Sequence, residues 1–129
     1  MSTPATNTIL VVDDSAVLRA SVRYTLTKAG LQVVEAENGE AGLEALQTLS
    51  KAGARPAMII TDVNMPKMDG ITFVKEVKKT ASRYVPILVL TTESQMDKKA
   101  EGKAAGATGW LVKPFEPAQL LELVKKFVR

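Results

Sequence analysis

Neither cysteine nor histidine occurs in the 129 residues. Without cysteine there are no disulfides and no thiolate metal sites, which fits a reducing compartment. Without histidine there are no imidazole zinc sites, no Ser–His or Cys–His catalysis and no histidine general base. Any metal binding or catalysis rests on carboxylates, hydroxyls, lysine and backbone. Aromatics are sparse, at one tryptophan, two tyrosines and three phenylalanines, and none interleaves with a basic run. A net charge of +3 is a mild excess, spread over pairs such as Lys78 and Lys79, Lys98 and Lys99, and Lys125 and Lys126. A nucleic-acid groove calls for a concentrated basic stripe with aromatics, so direct nucleic-acid binding is not expected. No run reaches the roughly 18 apolar residues of a membrane span. Residues 1–7 carry neither a basic n-region nor an apolar h-region, so they do not read as a secretory signal. They read as a short disordered tail before one domain over 8–129, in a cytoplasmic protein that acts as a monomer. A chain of this length buries about two thirds of its unfolded surface and needs no staple.

The apolar residues fall into two alternating kinds of segment. Short, nearly continuous runs lie at 9–12, 31–34, 57–60, 87–90 and 108–112. Strands buried on both faces of a parallel sheet read this way. Between them apolar residues recur at helical spacing: Leu18, Val22 and Leu26; Leu43, Leu46 and Leu49; Ile71, Val74 and Val77; and Leu121, Val124 and Val128 with Ala118 beside them. Each stripe would cover one face of a sheet. The segment 95–105 is poorest, with Met96, Ala100 and Ala104 as its stripe. Gly30 and Gly106 follow helices as C-terminal caps, Asp69 is a candidate N-cap, and Glu116-Pro117 opens the last helix. Five strand-then-helix repeats predict an α/β fold, a five-stranded parallel sheet with helices on both faces. Ligands bind such sheets at the carboxyl ends of the strands.

That edge is where the chemistry collects. Asp13 and Asp14 follow the first strand and Asp62 ends the third. If those strands are neighbours, three carboxylates converge. Their mutual repulsion is tolerable around a hard cation, and all-oxygen ligation suits Mg²⁺. Thr91 ends the fourth strand and Lys113 the fifth, adding a hydroxyl and an ammonium. Three carboxylates, a dication and one lysine are together neutral, a setting fit to receive the oxygens of a phosphoryl group. Singly, each residue is ordinary: an Asp after a strand is commonly a cap or turn former. The weight lies in five polar residues ending strands that all point one way.

The stretches Ile9-Leu10-Val11-Val12-Asp13-Asp14-Ser15, Thr61-Asp62-Val63-Asn64-Met65-Pro66-Lys67-Met68-Asp69-Gly70, Leu90-Thr91-Thr92-Glu93 and Val112-Lys113-Pro114-Phe115 closely resemble the receiver domain of response regulators. The resemblance covers essentially the whole chain and is greatest to the stand-alone chemotaxis type, CheY. It implies the flavodoxin-like, doubly wound arrangement with strand order 2-1-3-4-5. It also implies that Asp62 is the phospho-acceptor, that Asp14 is a direct Mg²⁺ ligand and that Asp13 holds the metal through water. The main-chain carbonyl of Asn64 would complete the protein ligands. Thr91 would bind a phosphoryl oxygen and shift on activation, Lys113 would pair with the aspartate or its phosphoryl group, and the Lys113–Pro114 bond would be cis. The implied donor is a phosphohistidine on a histidine kinase or histidine phosphotransfer domain. The receiver would help catalyse both the transfer and the later hydrolysis. Asn64 and Glu93, each two residues beyond a site residue, would flank the phosphoryl group and tune hydrolysis; both are polar, so self-dephosphorylation should be moderately fast.

The family's aromatic switch position, three before Lys113, holds Trp110 where Tyr or Phe is more usual. It is either a moving switch or a fixed packing contact. An output face would comprise helix 95–105, strand 108–112 and the last helix, with Lys98, Lys99, Trp110 and Lys125, and the flagellar motor switch is the leading output partner. Rival readings are a phosphate sink or relay without output, a receiver excised from a larger regulator, an aspartyl-nucleophile phosphatase and a flavin module. The phosphatase would place Asp where Asn64 stands. The flavin module would need a hydroxyl- or glycine-rich cradle where Asp13-Asp14 stands.

Overall fold

The computed structural model describes residues 7–128. The elements run β1 (Thr8–Val12), α1 (Ala16–Lys28), β2 (Gln32–Ala36), α2 (Gly39–Lys51), β3 (Met58–Asp62), α3 (Gly70–Val77), β4 (Ile87–Thr92), a 3-10 turn (Glu93–Lys98), α4 (Lys99–Ala105), β5 (Gly109–Lys113) and α5 (Pro117–Phe127). All four pairings are parallel, and the order is β2-β1-β3-β4-β5, as expected. Of the expected tail, residues 1–6 lie outside the described residues. Asn7 is hydrogen-bonded at the sheet's edge: its carbonyl accepts from the Gln32 N–H at 3.0 Å and its side chain donates to the Gly30 carbonyl at 3.2 Å.

The continuous apolar strands divide their side chains between two cores, because successive residues of a strand face opposite sides. Leu10, Val12, Ile59, Ile87 and Val89 point to the face covered by α2 and α3, where they meet Leu46, Phe73, Val74 and Val77. Ile9, Val11, Met58, Ile60, Leu88 and Leu90 point to the other face, against Val22 and Leu26 of α1 and Leu120 and Val124 of α5. Each fully buried Leu, Ile, Val or Phe contributes about 1.5–3 kcal/mol of transfer free energy.

Side-chain oxygens start the first three helices. Ser15, Asn38 and Asp69 accept from the N–H groups of Leu18, Ala41 and Thr72 at 3.2, 2.8 and 2.9 Å. Gln119 accepts from the Glu116 N–H at 2.8 Å at the head of α5, with Pro117 in its first turn. Gly30 and Gly106 follow α1 and α4 with φ of 89° and 114°.

Three expected details are corrected. The 95–105 helix is broken: a 3-10 turn precedes α4. Its inward face runs through Gly102 and Ala105, not Ala100 and Ala104, which are exposed. A side chain at Gly102 would overlap the Trp110 ring, so the helix packs by backbone approach rather than by an apolar stripe. On α5 the fully buried residues are Leu120 and Val124. Val124 is buried as expected, but Leu121 and Val128 are half-buried and Ala118 is exposed, because the buried line runs through Leu120 and Val124 at i, i+4 spacing.

Candidate active site at the carboxyl edge of the sheet

Strand register decides which side chains meet. Val12 pairs with Thr61, which puts the next residues, Asp13 and Asp62, level with each other. Asp62 pairs with Leu90, Thr91 with Val112 and Thr92 with Lys113. The polar ends of four strands therefore share one edge. The strand order reverses between β1 and β3, and the crevice at such a reversal is the usual ligand site of an open α/β sheet.

Asp13, Asp14 and Asp62 each bring a carboxylate oxygen within 4.8 Å of the others. Asp13 and Asp62 are buried and Asp14 is exposed. The Lys113 ammonium reaches both buried carboxylates, at 3.4 Å from Asp13 Oδ2 and 3.2 Å from Asp62 Oδ1. One lysine thus spans two acids of different strands. Burial raises the Asp13 pKa; the Ser15 N–H, donating at 2.8 Å, lowers it, Asp62 raises it and Lys113 lowers it, for a net rise. Packing acids this closely is costly unless positive charge joins them. The all-oxygen set, with one exposed member giving access, fits a hard dication such as Mg²⁺.

The surrounding loops hold these acids in place. The Arg19 guanidinium donates to the Asp13 main-chain carbonyl, and Arg19 and Arg23 both pair with Glu35 of β2, at 3.0 and 2.6 Å. On the other side of Asp62, Gly70 allows α3 to start against β3, since a side chain there would overlap the Asp62 carbonyl. The Gly70 N–H donates to the Val63 carbonyl at 2.7 Å. The Asp69-Gly70 pair therefore serves both as cap and as close approach. Lys113–Pro114 is cis.

Thr91 lies at 0% exposure, one residue before the end of β4. Its hydroxyl sits 3.2 Å from the Thr92 carbonyl and 3.4 Å from Gln95 Oε1. Asn64 is exposed in the loop after β3. It lines a pocket of about 260 Å³ with Asp69, Thr72, Gln95 and Lys98, among others. Glu93 opens the 3-10 turn, and its side chain lies outside the described residues. The expected output-face residues line different pockets. Lys98 lines the pocket beside Asn64, whereas Lys99 and Trp110 line a separate one of about 210 Å³ with Lys103 and Thr108. Lys125 is exposed on α5. Trp110 is half-buried against the α2–α3 core, and its Nε1 is buried without a hydrogen-bond partner among the described residues. Sequence reasoning missed Arg19, Glu35 and Gln95. Arginine or glutamine on a helix or turn carries no local signal of the backbone group it will meet.

A family model described as the response regulator receiver domain matches residues 9–125. The chain is 39% identical over 116 residues to the chemotaxis protein CheY1 of Helicobacter pylori (strain ATCC 700392 / 26695), covering 88% of this chain and 90% of that protein. It is 33% identical over 129 residues to the sensor histidine kinase CheAY of the same organism, but spans only 16% of that protein. Among solved structures, Vibrio cholerae chemotaxis protein CheY4 superposes with a TM-score of 0.86 at 46% identity, over 96% of this chain and 100% of that one. The receiver domain of a Pseudomonas aeruginosa sensor histidine kinase, with a magnesium ion coordinated in its active-site cleft, superposes with a TM-score of 0.80 at 26% identity, over 95% of this chain and 98% of that one. By sequence, fold and the likeness to CheY proteins, this chain belongs to the response regulator receiver family of two-component signalling.

Proposed function

We propose that Asp62 accepts a phosphoryl group from a phosphohistidine on a histidine kinase or histidine phosphotransfer domain, and that its phosphorylation changes affinity for an output protein. The observation that carries this reading is the Lys113 ammonium at 3.2 Å from Asp62, with three carboxylate oxygens gathered within 4.8 Å beside it. Asp13, Asp14, Asp62 and the Asn64 carbonyl would hold Mg²⁺. Bound there, the ion would neutralise charge on the carboxylates and on the incoming phosphoryl oxygens. An Asp62 oxygen forms the bond to phosphorus as the phosphorus–nitrogen bond to the donor imidazole breaks, leaving a mixed anhydride. Lys113 supplies positive charge to the phosphoryl oxygens, and Thr91 donates its hydroxyl to one of them. Water later cleaves the anhydride. Asn64 is polar and exposed, so with Glu93 it forms no apolar lid, and we expect a phospho-lifetime well short of many hours.

Kinship with CheY proteins supports a stand-alone chemotaxis regulator, cytoplasmic and monomeric, one domain over 8–129, with the flagellar motor switch as output partner. Lys98, Lys99, Trp110 and Lys125 would mark the output face. The short span on CheAY favours a second reading, a receiver within a larger regulator, where a sink or relay role would replace direct output. The test is transfer of radiolabel from a phosphohistidine donor in the presence of magnesium. Label should reach the wild-type chain and not Asp62→Asn. Equal labelling of the two would sink the proposal, as would steady turnover of phosphomonoesters, which would point to a phosphatase.

A further inference from the structure

The single hydroxyl proton of Thr91 already has acceptors. Besides Thr91, the side-chain oxygen of Gln95 faces the Thr92 N–H at 3.2 Å and the Thr92 hydroxyl at 3.2 Å. The atom facing this cluster has to be the oxygen, because the Thr92 N–H only donates, and a flipped amide would set donor against donor. One oxygen thus accepts from the Thr92 N–H and lies within reach of the Thr91 and Thr92 hydroxyls, the latter also 2.9 Å from the Ser94 hydroxyl. A hydroxyl carries one hydrogen. While Thr91 gives it to Gln95 or to the Thr92 carbonyl, it has none to give to a phosphoryl oxygen on Asp62.

We propose that Gln95 is a positioning residue that, with the Thr92 carbonyl, holds the Thr91 hydroxyl in the resting arrangement, so that the Gln95 oxygen competes with a phosphoryl group at Asp62 for that hydroxyl. The proposal rests on the roles of Asp62 and Thr91 proposed above. Gln95 belongs to a 3-10 turn, whose hydrogen bonds are poorer than those of an α-helix, and the following α4 has Gly102 as its buried residue. The latch is therefore held by side-chain hydrogen bonds more than by packing, and it releases without disturbing the core. An interaction made only in the resting state lowers the apparent affinity of every ligand that requires the active state. The net worth of one neutral hydrogen bond corresponds to about a fivefold effect.

The test uses the full chain with Mg²⁺ and beryllofluoride as the phosphoryl mimic, titrated calorimetrically. Gln95→Met keeps the length and removes the amide oxygen; Gln95→Ala removes the whole amide. Both should bind beryllofluoride about fivefold more tightly than wild type, with Mg²⁺ affinity unchanged. In a Thr91→Val background the gain should vanish, because no hydroxyl remains to be released. Gln95 variants that bind no more tightly would overturn the latch alone. So would a gain that persists undiminished with Thr91→Val, since it would show that Gln95 acts only on the loop. A wild-type chain that binds no beryllofluoride would overturn the latch together with the receiver chemistry beneath it.

Discussion

Glu35 shows how much a single exposed residue can hold. Its carboxylate ties Arg19 and Arg23 of α1 to β2. The Arg23 hydrogen bond is the largest influence on its pKa; burial opposes it, and Arg19 and both positive charges add to it, so the pKa lies below the ordinary 4.5. A depressed acid pKa contributes stability that is fully present above the unfolded value and is lost as pH falls through the folded one. Glu35→Gln should therefore lower stability at neutral pH and flatten the fall in stability below about pH 4.5, read by urea unfolding at a series of pH values. An unchanged pH profile would show that the pair is only a surface contact. Gly70 is a sharper case, because any side chain there meets the Asp62 carbonyl, a main-chain atom that cannot swing aside. Gly70→Ala should cost about 3 kcal/mol and displace Asp62, so that Mg²⁺ affinity falls together with stability. A variant as stable as wild type would contradict the close approach. The Asp69-Gly70 pair was legible as punctuation before a helix; its second role, the contact with Asp62, was not, because that contact spans the chain reversal.

Among the elements, strands were read more surely than helices. A strand buried on both faces is a short continuous apolar run, four or five residues being too few for a buried helix, so all five were found, with ends displaced by at most two residues. An amphipathic helix leaves neighbours on the edge of its stripe open to either assignment; hence α5 buries Leu120 more fully than Leu121, beside Val124 as expected. The segment before β5 was harder still, because Gly102 leaves no apolar stripe where Trp110 supplies the packing from the other side. Gly102→Ala should displace the indole, costing about 1–3 kcal/mol and shifting the Trp110 emission; unaltered fluorescence and stability would mean that α4 does not lean on the ring. The 3-10 turn and α4, with their sparse packing, should exchange amide hydrogens earlier than β1, β3 and β4.

At the scale of the whole molecule, the parallel sheet is a rigid platform that presses like charges together at one edge. A cation that relieves them, as proposed for Mg²⁺, should stabilise the native chain by linkage. At a free Mg²⁺ concentration of 100 times its dissociation constant the gain is about 2.7 kcal/mol, visible as a rise in Tm that a chelator reverses. Asp14→Ala should reduce that rise without unfolding the chain, since Asp14 is exposed. A Tm indifferent to magnesium would argue against a cation among these three acids.

The sequence by itself determined the order of elements, the two-faced core and the placing of acids, hydroxyl and lysine at strand ends, because periodicity and capping are local and each is written in neighbouring residues. Only the tertiary structure decided that Lys113 reaches both Asp13 and Asp62, that Arg19 grips the Asp13 carbonyl, that Gln95 holds the end of β4 and that Trp110 lies against Gly102. The Lys113 contacts join strands far apart in the chain, whereas those of Arg19, Gln95 and Trp110 are short-range and depend on how the intervening turn or helix is wound. Their distances follow from strand register and from how each helix or turn is seated, which no local pattern records.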